Sequence, residues 1–241
     1  ELHNEELLYR LFGVQAELLI DHAWGWEPCT IAAIKDYRPK SSSLSSGQVL
    51  PEPYPHEKAR LIVREMADQL SLELVEKGLV CSQFVLDIGY DAENLSAPAQ
   101  QRSYHGLTKT DRYGRAVPAA AHGSANLSVP ASSARILMQA AAEVFDRIVD
   151  CGLSVRRVTV TAAGLLRQEE AQLVGGDQLD FFGNYAAHQQ QKAELERELS
   201  GQQAIVALRQ KYGKNAVFRG MDLQEGATTK DRNGQIGGHK A

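Results

Sequence analysis

Hydrophobic and polar residues recur along this chain in two periods, and their order sets out an architecture. Leu7, Leu8, Leu11 and Phe12 fall at helical spacing, Gly13 stops the pattern, and a second short helix runs from Glu17 to Ala23 before Gly25-Trp26. Leu44 to Leu50 reads as a first strand. Ala59, Ile62, Val63, Met66, Leu70 and Leu74 form the stripe of a long helix that follows Pro53 and Pro55, places Glu57 in its first turn and ends at Gly78. A second strand sets Val80, Phe84, Leu86 and Ile88 against Cys81, Gln83, Val85 and Asp87. A third sets Ala125, Leu127 and Val129 against Ser124, Asn126 and Ser128. Pro130 and the N-cap candidate Ser132 open a second long helix, with the stripe Ile136, Leu137, Ala140, Val144, Phe145 and Ile148 and a stop at Gly152. The last strand opposes Val158, Val160 and Ala162 to Arg157, Thr159 and Thr161.

Strand–helix–strand occurs twice, with one apolar face per strand. This predicts an α+β fold, a two-layer split βαβ sandwich over residues 44–168. Residues 1–35 are helical and too short to bury a core of their own. A basic, serine-rich linker follows at 36–43, where Pro39 biases Arg38 toward an extended conformation. Residues 169–241 form a tail that is partly helical and partly flexible. Within it Gln189 to Tyr212 reads as a charged helix interrupted near Gly201, and Glu225 to Ala241 as mobile. The chain opens at Glu1 directly in a helical pattern, which reads as a portion of a longer protein.

Composition narrows the class. A hydrophobic content of 43% and a charged content of 23% over 241 residues are ordinary for a soluble globular protein. No apolar run approaches the roughly 20 residues that span a bilayer, and no signal peptide opens the chain. A cytoplasmic protein with no membrane partner is expected. Cys29, Cys81 and Cys151 lack CxxC spacing, which argues against a disulfide framework or a zinc site. A net charge of −4 excludes a wholly basic nucleic-acid binder but leaves room for a basic face.

The candidate chemistry lies on the sheet face that no helix covers. Gln83, Asp87, Ser124, Asn126, Ser128, Arg157, Thr159 and Thr161 are small, polar or basic, and offer donors to phosphate oxygens. The alternative is an ordinary solvated face. The connection from Ala92 to Ala120 is too long for a tight hairpin. It carries Arg102, Lys109, Arg112 and Arg115 with Tyr104, His105 and Tyr113 interleaved, either a disordered insertion or a basic flap beside the sheet. Asp87 and Asp91 would lie about 13 Å apart along a strand, too far to share a metal ion. The histidines are scattered without HExxH spacing, and neither a nucleophile elbow nor a P-loop is present. His122 falls on the open face, where it could reach a phosphate. Finally, Gln178-Leu179-Asp180-Phe181-Phe182 places two aromatic rings in a polar, glycine-bounded connector. Such a string suits docking as an extended peptide. The alternative is a hydrophobic tether that folds back on the domain.

That string resembles the sliding-clamp-binding motif of bacterial replication and repair proteins. Other segments, in order, resemble the Y-family translesion DNA polymerases and their UmuC-like bacterial branch. They are Asp21-His22-Ala23-Trp24-Gly25-Trp26, Arg38-Pro39-Lys40-Ser41-Ser42-Ser43 running into Ser46-Gly47-Gln48-Val49-Leu50, Phe84 to Asp91, Arg157 to Val160, and Lys211 to Asn215 through Arg232 to Ala241. The resemblance implies that 1–35 is the end of the thumb, 44–168 the little finger and 169–241 a clamp-binding tail. It implies a part in translesion synthesis during the SOS response to DNA damage, gripping primer–template duplex through its phosphates. Lys40, Ser41, Ser42, Ser43, Arg102, Arg112, Arg115, Ser124, Asn126, Ser128, Arg157, Thr159 and Thr161 are the expected DNA contacts, and Gln178 to Phe182 the contact with the bacterial sliding clamp. The family's catalytic Mg2+ ions are held by carboxylates of a palm domain that nothing in this sequence matches. No catalytic residue and no cofactor are therefore expected in this chain, which should be inactive alone. The rival readings are a stand-alone nucleic-acid-binding α/β module and a non-catalytic clamp-binding decoy.

Overall fold

The structure is a computed structural model that describes residues 4–37, 42–96, 104–111, 113–174, 185–236 and 239–240. The chain divides into two compact units, 1–40 and 41–241. In the first, α1 (Glu5–Phe12) is capped by the Asn4 side chain, α2 (Gln15–Ala23) follows, and α3 (Ile31–Asp36) is capped by Thr30. The sequence pattern announced only two of these helices, because Ile31-Ala32-Ala33-Ile34 is too short to display a period. Only Ala16 is buried among the described residues of this unit, as its length implies.

The second unit is built on a four-stranded antiparallel sheet. Its strands are β1 (Ser43–Tyr54), β2 (Leu79–Tyr90), β5 (Ala121–Ala131) and β6 (Val155–Arg167), in the spatial order β1-β6-β2-β5. Helix α4 (His56–Glu76) connects β1 to β2, with β6 lying between those strands. Helix α5 (Ala134–Ile148) connects β5 to β6, with β2 between them. Two interlocked split βαβ units result, and both helices cover one face of the sheet. Between the layers lie Ile62, Val63, Met66, Leu70 and Leu74 of α4, Leu137, Val144 and Phe145 of α5, and Phe84, Leu86, Ile88, Val158 and Val160 of the two central strands.

Several boundaries move for identifiable reasons. β1 extends through Pro51 and Pro53 to Tyr54, with a register irregularity between Val49 and Tyr54. An edge strand tolerates such prolines because one side of its backbone needs no partner. Pro130 is likewise the penultimate residue of edge strand β5. The cap of α5 is Ser133, whose hydroxyl accepts from the Ile136 amide, rather than Ser132. Val129, expected in the core, is 46% exposed. Cys81, expected on the open face, is buried in the core, and burial pushes its thiol up to about 11. Opposite this stretch Gly164 has φ +62, and a side chain there would collide with the Ser82 hydroxyl. Regular alternation fails at this point, so Leu165 also turns toward the core.

The connection between β2 and β5 is neither a plain flap nor wholly irregular. It contains a 3₁₀ turn (Ala92–Leu95) and a hairpin of β3 (Thr108–Thr110) and β4 (Ala116–Pro118).

The largest departure is C-terminal. After α6 (Gln168–Val174), helix α7 (Tyr185–Tyr212) runs unbroken through Gly201. Beside that glycine, Gln202 is buried and donates to the Ser71 hydroxyl and the Ser132 carbonyl. Glu198 accepts from the Ser133 hydroxyl and the Arg135 amide. The segment after α7, expected to be mobile from Glu225 onward, lies across the outer side of α4 and the inner side of β1. There Glu65 accepts from the amides of Thr228 and Thr229, at the start of α8 (Thr229–Asn233), and Asp68 accepts from Arg219 at 2.6 Å. Lys58 pairs with Glu225 at 2.7 Å, Gln48 meets Thr228, and Arg232 donates to the Ser46 hydroxyl. Glu65, Asp68 and Ser71 look like a solvated helix face in the sequence. They are buried because a distant segment supplies their partners. The short strands β7 (Gln235–Ile236) and β8 (His239–Lys240) end the described chain.

Two outcomes follow. Phe145→Ala, which empties a fully buried position against the His56 ring, should cost about 3–5 kcal/mol in chemical denaturation. Burial raises the Glu65 carboxyl despite the Thr228 and Thr229 hydrogen bonds, and raises Asp68 despite Arg219. A raised carboxyl binds more proton folded than unfolded, so its stabilising contribution is present below about pH 4 and lost as pH rises through the folded value. Glu65→Gln should therefore flatten that falling limb of stability against pH. An unchanged limb would assign it elsewhere.

Candidate nucleic-acid interface

The open face follows directly from the register. Because Val158, Val160 and Ala162 of β6 point into the core, Arg157, Thr159 and Thr161 must point away from the helices. Ladder pairing extends each of these positions into a row. Ser45, Thr161, Val85 and Ser124 form one row; Gly47, Thr159, Asp87 and His122 form the next. Ser43, Ala163, Gln83 and Asn126 make a third, and Val49, Arg157 and Gly89 a fourth.

Hydrogen bonds tie neighbouring strands across these rows. The Thr161 hydroxyl donates to Ser45 Oγ at 2.9 Å, Gln83 Nε2 donates to Asn126 Oδ1 at 2.9 Å, and His122 Nδ1 lies 2.6 Å from Asp87 Oδ1. Arg147 of α5 reaches round the sheet edge and donates to the Ser124 carbonyl at 2.6 Å. Small side chains keep the face low. A Cβ on Gly89 would lie 3.1 Å from the Arg157 Cβ, so the glycine leaves the flank of that arginine uncrowded.

The expected contact residues divide into distinct groups. Ser43, Ser124, Asn126, Arg157, Thr159 and Thr161 sit together on the open face, and Ser128 extends the same strand through the irregular stretch between Asn126 and Ala131. Ser42 is exposed just before β1, where its carbonyl accepts from the Leu165 amide. Arg115 stands on the β3–β4 hairpin in an ion pair with Asp111 at 2.8 Å, so its charge is largely compensated locally. Lys40, Ser41, Arg102, Arg112 and the string Gln178 to Phe182 lie outside the described residues. Arg157 is exposed, and its guanidinium makes no hydrogen bond or ion pair within the described residues.

Sequence reasoning missed the contribution of β1. Ser45 and Gly47 complete rows begun by Thr161 and Thr159, and the alternation Ser43-Leu44-Ser45 carried the signal. It also left unpaired the two groups His122 and Asp87, which pairing across β2 and β5 joins. Asp91 lies past the end of β2, 3.6 Å from Arg156. Among the described residues no three His, Cys, Asp or Glu side chains are arranged to hold a metal ion.

A model of the impB/mucB/samB family C-terminal domain matches residues 41–177, more than half of the chain. The chain belongs to this family. It contains the C-terminal portion of a UmuC-like Y-family polymerase, and the match spans the whole four-stranded sheet with both covering helices. No curated protein matches the chain. The Gln178–Phe182 string, α7 and the segment that crosses α4 all follow the matched region. Among the described residues no helix of this family member is long and apolar enough to cross a membrane.

Proposed function

We propose that the chain is the DNA-gripping and clamp-docking part of an error-prone translesion polymerase acting in the SOS response. In this reading residues 1–35 are the thumb end and 44–168 the little finger. Family membership supports the polymerase assignment, and the observation that carries DNA binding is the open face. It is a low, hydroxyl-rich surface on which Arg157 is an unpaired cation beside Thr159 and Thr161. Hydroxyls and a guanidinium at this spacing suit backbone phosphates, which position a duplex without reading its sequence. Such indifference suits an enzyme that meets damaged templates. Asp87 would oppose phosphate, and its Oδ1 is engaged by the imidazole Nδ1 of His122 at 2.6 Å. The rival single-strand-binding sheet would present aromatics on its central strands; here those positions are Gln83, Val85, Asp87, Thr159 and Thr161.

The matching partner of Gln178 to Phe182 is the bacterial sliding clamp, with Leu179 and Phe182 in apolar pockets and Gln178 in a polar notch. A contact of this size is about micromolar on its own, near −8 kcal/mol. Holding both proteins on one duplex raises the effective concentration and lengthens residence.

Two measurements test these readings separately. Arg157→Ala should weaken duplex binding and reduce the slope of log affinity against log salt by roughly one unit, irrespective of sequence. An unchanged slope would remove the open face from the interface. Leu179→Ala combined with Phe182→Ala should abolish clamp binding in a calorimetric titration while leaving thermal stability and duplex affinity unchanged. Equal clamp affinity would sink the motif assignment, and a lowered melting temperature would instead make the string part of the core.

A further inference from the structure

Strand β1 is an edge of the sheet, yet the surface of the open face continues past it. The segment that crosses the outer side of α4 comes to lie beside that edge, and an open groove of about 510 Å³ runs between the two. Gly47, Arg157 and Thr159 line it from the sheet, and Arg232 and Gln235 line it from the C-terminal segment. Gly47 leaves the Thr159 hydroxyl uncovered, since a Cβ there would lie 3.1 Å from Thr159 Oγ1. Two arginines thus share one groove whose described lining residues include no carboxylate.

Arg232 is anchored. Its helix, α8, begins at amides bound to the Glu65 carboxylate, and the neighbouring Asn233 donates to Asn215 Oδ1 at 2.8 Å. The Arg232 guanidinium makes a single hydrogen bond among the described residues, to the Ser46 hydroxyl at 2.6 Å, although a guanidinium carries several donors. Burial lowers its pKa against the opposing pull of Glu65 and Glu73, so the charge is short of partners where it sits. A preset cation with donors to spare costs little further ordering when it meets an anion. An anion that reaches Arg157 and Thr159 on the duplex-binding face and Arg232 at its edge is a backbone phosphate of the same DNA.

We propose that the C-terminal segment is part of the DNA grip, with Arg232 extending the open face past β1 and holding, together with Arg157, backbone phosphates of the duplex in this groove. The inference rests on the duplex-binding reading above and carries it beyond the matched domain, which ends at residue 177. The docking of this segment on Glu65 and Asp68 fixes a cation beside the sheet edge.

Duplex titrations at several salt concentrations, with anisotropy detection, test it alongside Arg157→Ala. Arg232→Gln keeps a donor for Ser46 and removes the charge. It should lower the slope of log affinity against log salt by roughly one unit, and by roughly two when combined with Arg157→Ala. Arg232→Lys should retain the wild-type slope. Gln235→Glu leaves the Arg232 anchor intact and places a carboxylate in the groove, so it should weaken binding with the melting temperature unchanged. A wild-type slope in Arg232→Gln, or wild-type affinity in Gln235→Glu, overturns the extension and leaves the duplex reading standing where Arg157→Ala still flattens the slope. Wild-type slopes in both Arg232→Gln and Arg157→Ala overturn both readings. A slope that falls equally in Arg232→Lys assigns the effect to displacement of the segment rather than to its charge, and overturns the phosphate contact.

Discussion

The strand β6 lies between β1 and β2 over nearly its whole length, with Val158, Val160 and Ala162 fully buried beneath the helices. Each of the two valines contributes on the order of 1.5–3 kcal/mol through removal from water. A slip of one residue would turn the entire set outward. That cost fixes the register of the central strand, and through it the rows of both neighbours. Arg157, Thr159 and Thr161 face outward because their neighbours in sequence cannot. The surface proposed to meet DNA is thus the necessary reverse of the core, and its flatness reflects the small residues that face it from β1, β2 and β5.

Helix α4 serves two environments. Its apolar stripe packs on the sheet, while Glu65, Asp68 and Ser71 are buried on the other side by α7 and the segment that follows it. Burying two carboxylates is expensive unless they are matched. Here amides and an arginine from over a hundred residues later supply the match. Helix α7 is fixed to the domain through Glu198, Gln202 and Arg209.

The open face and the hairpin divide the chemistry of the groove between them. The sheet side is polar, small and flat, with one free guanidinium. On the hairpin side Arg115 is committed to Asp111.

The sequence by itself determined the α+β class, both long helices, the order of the four main strands and the alternation that opposes Arg157, Thr159 and Thr161 to the core. All of these rest on local periodicity, which a chain carries wherever its neighbours are. Tertiary structure alone decided the rest. It inverted alternation at Cys81 and Leu165, because a positive φ at Gly164 depends on the strand beside it. It exposed Val129, because edge strands are covered on fewer sides than central ones. It joined His122 to Asp87 and completed the rows with Ser45 and Gly47, since cross-strand pairs have no signature in sequence spacing. And it ordered the segment after Glu225 against Glu65, because polar residues read as solvent-facing until the partner that desolvates them is in place.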